Sequence, residues 1–183
     1  MNLDSLRSLR GKILVIDIET TGLLDIVKDK SDLHILSVGW KGKEGKWKIA
    51  STDREEDIKK IFEDENNIIV GHNFIGYDIR VLRKIFPEID FKAPIIDTLP
   101  LSQYLYNDRV KHGLESWGED IGFEKVEVGS DEWENLSKEK AIERCERDVL
   151  INALLWDKFY NLLMDLYDND ENQLLTPINR ANF

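Results

Sequence analysis

Lys12–Gly22 reads KILVIDIETTG. Its first seven residues form a short apolar run rich in β-branched side chains, too short for a helix, and predict a buried strand over Lys12–Ile18. Thr20, Thr21 and Gly22 end that strand. Asp17 and Glu19 stand at its end. Side chains alternate across a strand, so residues two apart face the same way and can present two carboxylates to one cation. Asp-x-Glu alone also describes a solvated strand end, a reading that two acids placed directly after ILVI strain.

Outward from this strand, Leu33–Lys41 and Lys46–Ala50, separated by Gly42 and Gly45, predict a hairpin completing an antiparallel edge. Thr52 with Glu55 three residues on has the form of a capping box opening a helix to about Glu63. Asn67–Gly71 predicts a fourth strand, Tyr77–Phe86 a helix stopped by Pro87, and Ala93–Asp97 a fifth strand. Short helices follow over Thr98–Tyr106 and Leu114–Ile121, the second stopped by Gly122. From Ser137 a long helix runs to about Tyr167, with Ile142, Cys145, Val149, Ala153, Trp156, Tyr160 and Leu163 at helical spacing. The order β-β-β-α-β-α-β-α favours an α/β fold, a mixed five-stranded sheet flanked by helices. Glu124–Glu134 is acidic, and the end from Asp168 to Phe183 is polar and Asn-rich, so both are expected to be loosely held.

At 183 residues and 42% apolar content, the chain suits one domain over residues 1–183, with a core at about 12–167 and a polar tail at 168–183. The single Cys145 can form neither an internal disulfide nor a thiolate zinc site, which fits a reducing, cytoplasmic setting. Met1–Arg10 lacks the apolar core of a signal peptide, and no apolar run approaches the length of a membrane span, so no membrane partner is expected. A formal charge of −11 speaks against a broad basic face for nucleic acid. Carboxylates that hold divalent cations reverse that inference locally, because the bound ion inverts the charge a phosphate meets.

Further acids occur in chemically suggestive places. Asp78 closes the stretch Gly71-His72-Asn73-Phe74-Ile75-Gly76-Tyr77-Asp78, a strand end, a turn and a helix start, where an acid also suits the helix dipole. Asp148 borders the apolar stripe of the long helix, a place that disfavours Asp unless it has a partner such as a metal. Asp97 is suited to cap the helix beginning at Thr98.

Together these segments resemble a known family. Asp17-x-Glu19-Thr20-Thr21-Gly22-Leu23 is similar to the first exonuclease motif of the DEDD superfamily, His72-Asn73 through Asp78 to the second, and Asp148 takes the last acidic place. Ile96-Asp97-Thr98 with Leu101-Ser102, and His112-Gly113-Leu114-Glu115-Ser116-Trp117-Gly118, resemble in particular the proofreading exonuclease domain of phage-type family A DNA polymerases. The similarity spans about residues 12–163. It implies an RNase H-like fold and a 3′-to-5′ exonuclease that hydrolyses terminal phosphodiesters of single-stranded DNA, RNA being a possible substrate. It further implies that Asp17, Glu19, Asp78 and Asp148 hold two divalent cations, Mg²⁺ or Mn²⁺, and that Thr20, Thr21, Leu23, Asn73 and Phe74 contact the 3′-terminal nucleotide. For Leu23 and Phe74 ordinary core packing is the competing role, and His112 has a packing or substrate-side role rather than that of a base.

The pattern departs at one place. The family carries a Tyr four residues before the last Asp, or a His five before it, to orient the attacking water, whereas this chain has Arg144 and Glu143 there. Arginine stays protonated and cannot accept the water's proton. The alternative to an enzyme is thus a nuclease-fold module with weakened catalysis that binds nucleic-acid ends or docks on a replication partner. The expectation is either a stand-alone exonuclease, acting with a separately supplied DNA polymerase or another replication protein, or a piece of a longer chain. Leu174–Phe183 suits a partner-binding peptide or a tail folded back on its own domain.

Overall fold

The computed structural model describes residues 12–126 and 136–166. Five strands form one sheet: β1 (Ile13–Thr20), β2 (Leu33–Lys41), β3 (Trp47–Thr52), β4 (Ile68–Gly71) and β5 (Ile95–Asp97). Their order is β3-β2-β1-β4-β5, with β2 antiparallel to both its neighbours and β4 parallel to β1 and β5. The helices are α1 (Glu55–Glu63), α2 (Asp78–Ile85), α3 (Thr98–Leu105), α4 (Leu114–Ile121) and α5 (Lys138–Leu166). The expected mixed five-stranded sheet with flanking helices is the observed architecture. No helix among the described residues is long and apolar enough to cross a membrane.

Alternation along β1 divides the core between two faces. Leu14, Ile16 and Ile18 point into a layer with Ile58, Phe62, Ile79 and Leu82 from α1 and α2. Val15 points the other way, joining Val70, Ile96 and the α5 residues Val149, Ala153 and Trp156. Asp17 and Glu19 share the parity of Val15 and so lie on the face that α5 covers. The helix sits close to the sheet because Gly39 has no side chain: a Cβ there would meet Val149 Cγ1 at 2.8 Å. On its other flank, α5 packs Ile151, Leu155 and Phe159 against Leu114 and Trp117 of α4.

Several element ends differ from those expected. β1 continues to Thr20 because Glu19 and Thr20 still pair with β2, through a register shift between them. The capping box at Thr52 and Glu55 does not form. Thr52 is the last residue of β3; its hydroxyl accepts from Arg54 N and donates to Asp57 Oδ2 at 3.0 Å, so Asp57 takes the place expected for Glu55. Gly122 does end α4, with a left-handed φ of 81°. The predicted loose segment Glu124–Glu134 is described only to Val126, and the tail from Asp168, with Leu174–Phe183, lies outside the described residues.

Candidate active site

The carboxylates of Asp17, Glu19 and Asp148 each offer an oxygen such that all three lie within 4.8 Å of one another. β1 supplies the first two from one face, and the register shift after Glu19 turns the strand where it leaves the sheet. Asp148 comes from the middle of α5, held in rotation by Val149 against the sheet and by Asn152 one turn on. Asn152 Oδ1 accepts from the Thr98 hydroxyl at 2.7 Å, and Thr98 Oγ1 lies 2.9 Å from His72 Nδ1, so one chain of polar groups joins the turn after β4 to α3 and α5. Asp78, at the first position of α2, is outside the three-acid group but electrostatically part of it.

Burial first, then repulsion from Asp78, Asp148 and Glu19, pushes the Asp17 carboxyl well above the ordinary range, with Lys125 opposing. Burial also raises Glu19, against the pull of Arg144, and Asp148, against Lys125 and Arg144. Asp78 is pushed to about 8 by burial, despite hydrogen bonds from its own amide and that of Ile18. Such a cluster of acids is unfavourable without cations. Two side chains answer part of that charge: Arg144 Nε donates to Glu19 Oε1 at 2.6 Å, and Lys125 Nζ lies 2.6 Å from Asp148 Oδ2.

Asp148 Oδ1 is buried with no hydrogen-bond partner among the described residues. A buried, unpartnered carboxylate oxygen among other carboxylates is what a cation site presents, and an all-oxygen donor set suits hard ions such as Mg²⁺ or Mn²⁺. The residues therefore fit divalent cations.

Beside Glu19 opens a cleft of about 590 Å³ lined by Thr20, Thr21, Leu23, Ile26, Asn73 and Tyr77, among others. Four of the residues assigned to the terminal nucleotide thus share one wall with Glu19. Leu23 is 69% exposed and is not core. Phe74 is the correction: its ring is fully buried and stacks on Phe62 at 6.3 Å, leaving no face for a base. His112 is tied to Ser102 Oγ at 2.7 Å, and that hydroxyl also accepts from Trp117 Nε1, a packing arrangement. Asp97 caps α3 through Leu99 N and also accepts from Asn73 N and Ile75 N, which holds Asn73 in its left-handed conformation at φ 57°.

Two contributors escaped the sequence reading. Lys125 lies in an acidic stretch with no periodicity to signal it. Tyr77 carries a hydroxyl that donates to Gly22 O at 2.5 Å and meets Thr20 Oγ1 at 2.6 Å, fixing the cleft wall; its place beside Asp78 was the only hint.

Residues 14–153 match the RNase_H superfamily model. No curated protein matches the chain. Among solved structures, one described as the apo form of a nuclease is similar over 94% of this chain and 82% of its own, at 17% identity and a TM-score of 0.61. NrnC from Brucella melitensis gives 17% identity and a TM-score of 0.58 over 93% of this chain and 81% of its own, and is also described with bound pGG and with bound Mg²⁺. E. coli exonuclease I, in a zinc-bound complex with single-stranded DNA, gives 14% identity and a TM-score of 0.54, covering 91% of this chain and 45% of the enzyme.

Proposed function

From its place in the RNase H superfamily, to which this chain belongs, we propose that it is a metal-dependent 3′-to-5′ exonuclease acting on single-stranded DNA. The observation that carries the reading is the three-acid group of Asp17, Glu19 and Asp148 with the unpartnered Asp148 Oδ1. Asp17, Glu19, Asp78 and Asp148 would hold two divalent cations. When bound, such ions supply activation of a water and stabilisation of the leaving 3′-oxygen.

The chain's own groups do the rest. The cleft beside Glu19 receives the terminal nucleotide, with Leu23 and Ile26 offering apolar surface to a base of any identity. Thr21 and Asn73, both exposed at its rim, supply polar contacts to sugar or phosphate. A second cleft of about 530 Å³ is lined by Lys125 and Arg147 together with Glu119 and Glu124, a mixed lining in which the two cations are the groups suited to phosphate. Arg144 takes no proton from water and acts as a positive neighbour of Glu19. The resemblance to phage-type proofreading domains supports DNA over RNA and a role beside a polymerase, and the neighbours described with pGG and with single-stranded DNA support a nucleic-acid end as ligand.

A second reading is a nuclease-fold module with weakened catalysis, favoured by Arg144 engaging Glu19 where the family's water-orienting residue belongs. A single strand labelled at its 5′ end, incubated with Mn²⁺, separates the two. An exonuclease yields a ladder of successively shorter products and leaves a circular strand intact. Binding without shortening supports the module, and cutting of the circle rules out exonuclease action.

A further inference from the structure

The two ion pairs of the acid cluster among the described residues are shielded from water. The side chains of Arg144 and Glu19 are 18% and 9% exposed, and those of Lys125 and Asp148 27% and 7%. Each pair uses a carboxylate of the three-acid group. An oxygen engaged by a charged donor at 2.6 Å has that lone pair committed, and the donor's charge repels an arriving cation. Arg144 lies one helical turn before Asp148 on α5, and Lys125 follows α4, so both reach the cluster on long, rotatable side chains.

Building on the exonuclease reading, we infer that Arg144 and Lys125 are internal counter-charges that hold Glu19 and Asp148 together in the metal-free chain and compete with divalent cations for them. Arg144 and Lys125 engage two of the four acids, Glu19 and Asp148, and leave Asp17 and Asp78 to meet a cation first, so the cluster must release its own bases to coordinate one fully. Release needs only rotation about side-chain bonds, because both charged groups are carried on flexible methylene stems. The displaced ammonium and guanidinium then stand beside the acids, where a nucleic-acid phosphate is the fitting new partner.

The test is a calorimetric titration of Mn²⁺ into the full chain and its Arg144→Gln and Lys125→Gln variants, with thermal unfolding in chelator and in Mn²⁺. Each variant should bind Mn²⁺ on the order of 10- to 100-fold more tightly, the range that loss of one charged hydrogen bond corresponds to. Each should also melt lower than the parent in chelator and gain more from Mn²⁺. Affinity equal to or weaker than the parent's overturns the inference and leaves the exonuclease reading standing. Mn²⁺ uptake that persists unchanged after Asp17→Ala with Glu19→Ala overturns both. If Arg144→Gln does not fold, Lys125→Gln decides alone, since its pair is the more exposed and its loss the milder.

Discussion

Asp97 and Asp148 are both buried aspartates near the same end of the sheet, and they are held in opposite ways. Asp97 accepts from three backbone amides, those of Asn73, Ile75 and Leu99, at 2.8 to 3.0 Å. Backbone amides cannot leave, so its charge is permanently answered and its work is to fix a loop and start a helix. Asp148 has one oxygen on the movable Lys125 and the other on nothing among the described residues. Burial alone therefore does not separate an acid that fixes structure from one left open to a new partner. What separates them is whether the partners are fixed.

The sharpest break in this comparison is Asp17→Ala with Glu19→Ala. Hydrolysis of a 3′ end should fall below detection while the protein still folds, the relief of like-charge repulsion offsetting the loss of the Arg144–Glu19 pair. A double variant that cleaves at the parental rate would show that the side-chain-held acids are not the chemical ones. Next in size is Arg144→Tyr, which frees Glu19 and restores a water-orienting phenol. Single-turnover rates in Mn²⁺ should rise, by less than the roughly 10²- to 10⁴-fold that a positioned acid or base supplies. An unchanged rate there, with a slower Arg144→Ala, would give the arginine a role on substrate.

Asp97→Ala should act on stability instead, by on the order of 3 kcal/mol in denaturant unfolding, because three amides lose a charged acceptor. If it instead left stability intact and removed activity alone, the distinction between the two aspartates would collapse. The smallest effect concerns pH. Asp78, raised to about 8 from an ordinary 3.8, holds its proton more tightly folded than unfolded, so its stabilisation of the metal-free chain is full below about pH 4 and lost as pH rises through 8. His72, lowered to about 4 from 6.5, works in the other direction: its contribution is present above about pH 6.5 and lost as pH falls through 4. Metal-free melting temperature should thus decline between pH 6.5 and 8.5, and Asp78→Asn should flatten that decline, a difference of about 2 kcal/mol or roughly 4–8 °C for a chain of this size.

The sheet was legible in sequence because each strand carries its own short-range signal. The run ILVI and the glycines in the turn between β2 and β3 are local facts. Asp17 and Glu19 were legible for the same reason, since strand alternation places both on one face. Tertiary contacts decided what was not legible. Thr52 looked like a helix cap, but pairing with Leu36 drew it into β3, and its hydroxyl found Asp57. For Phe74 the sequence leaves base contact and core packing as alternatives, and only the packing of its ring on Phe62 decides for the core. Lys125 gained its importance from α5, which returns Asp148 to it from far along the chain.

The bare backbone of Gly39 gives the site its dimensions. Because α5 rests there through Val149, the gap between sheet and helix at that point sets how far Asp148 stands from the two acids of β1. A single methyl on Gly39, which touches no reacting group, would act as a shim under the helix. On the metal-dependent reading, oxygens that share an ion would tolerate little such spreading, so the spacing of the three acids is adjustable from a neighbouring strand.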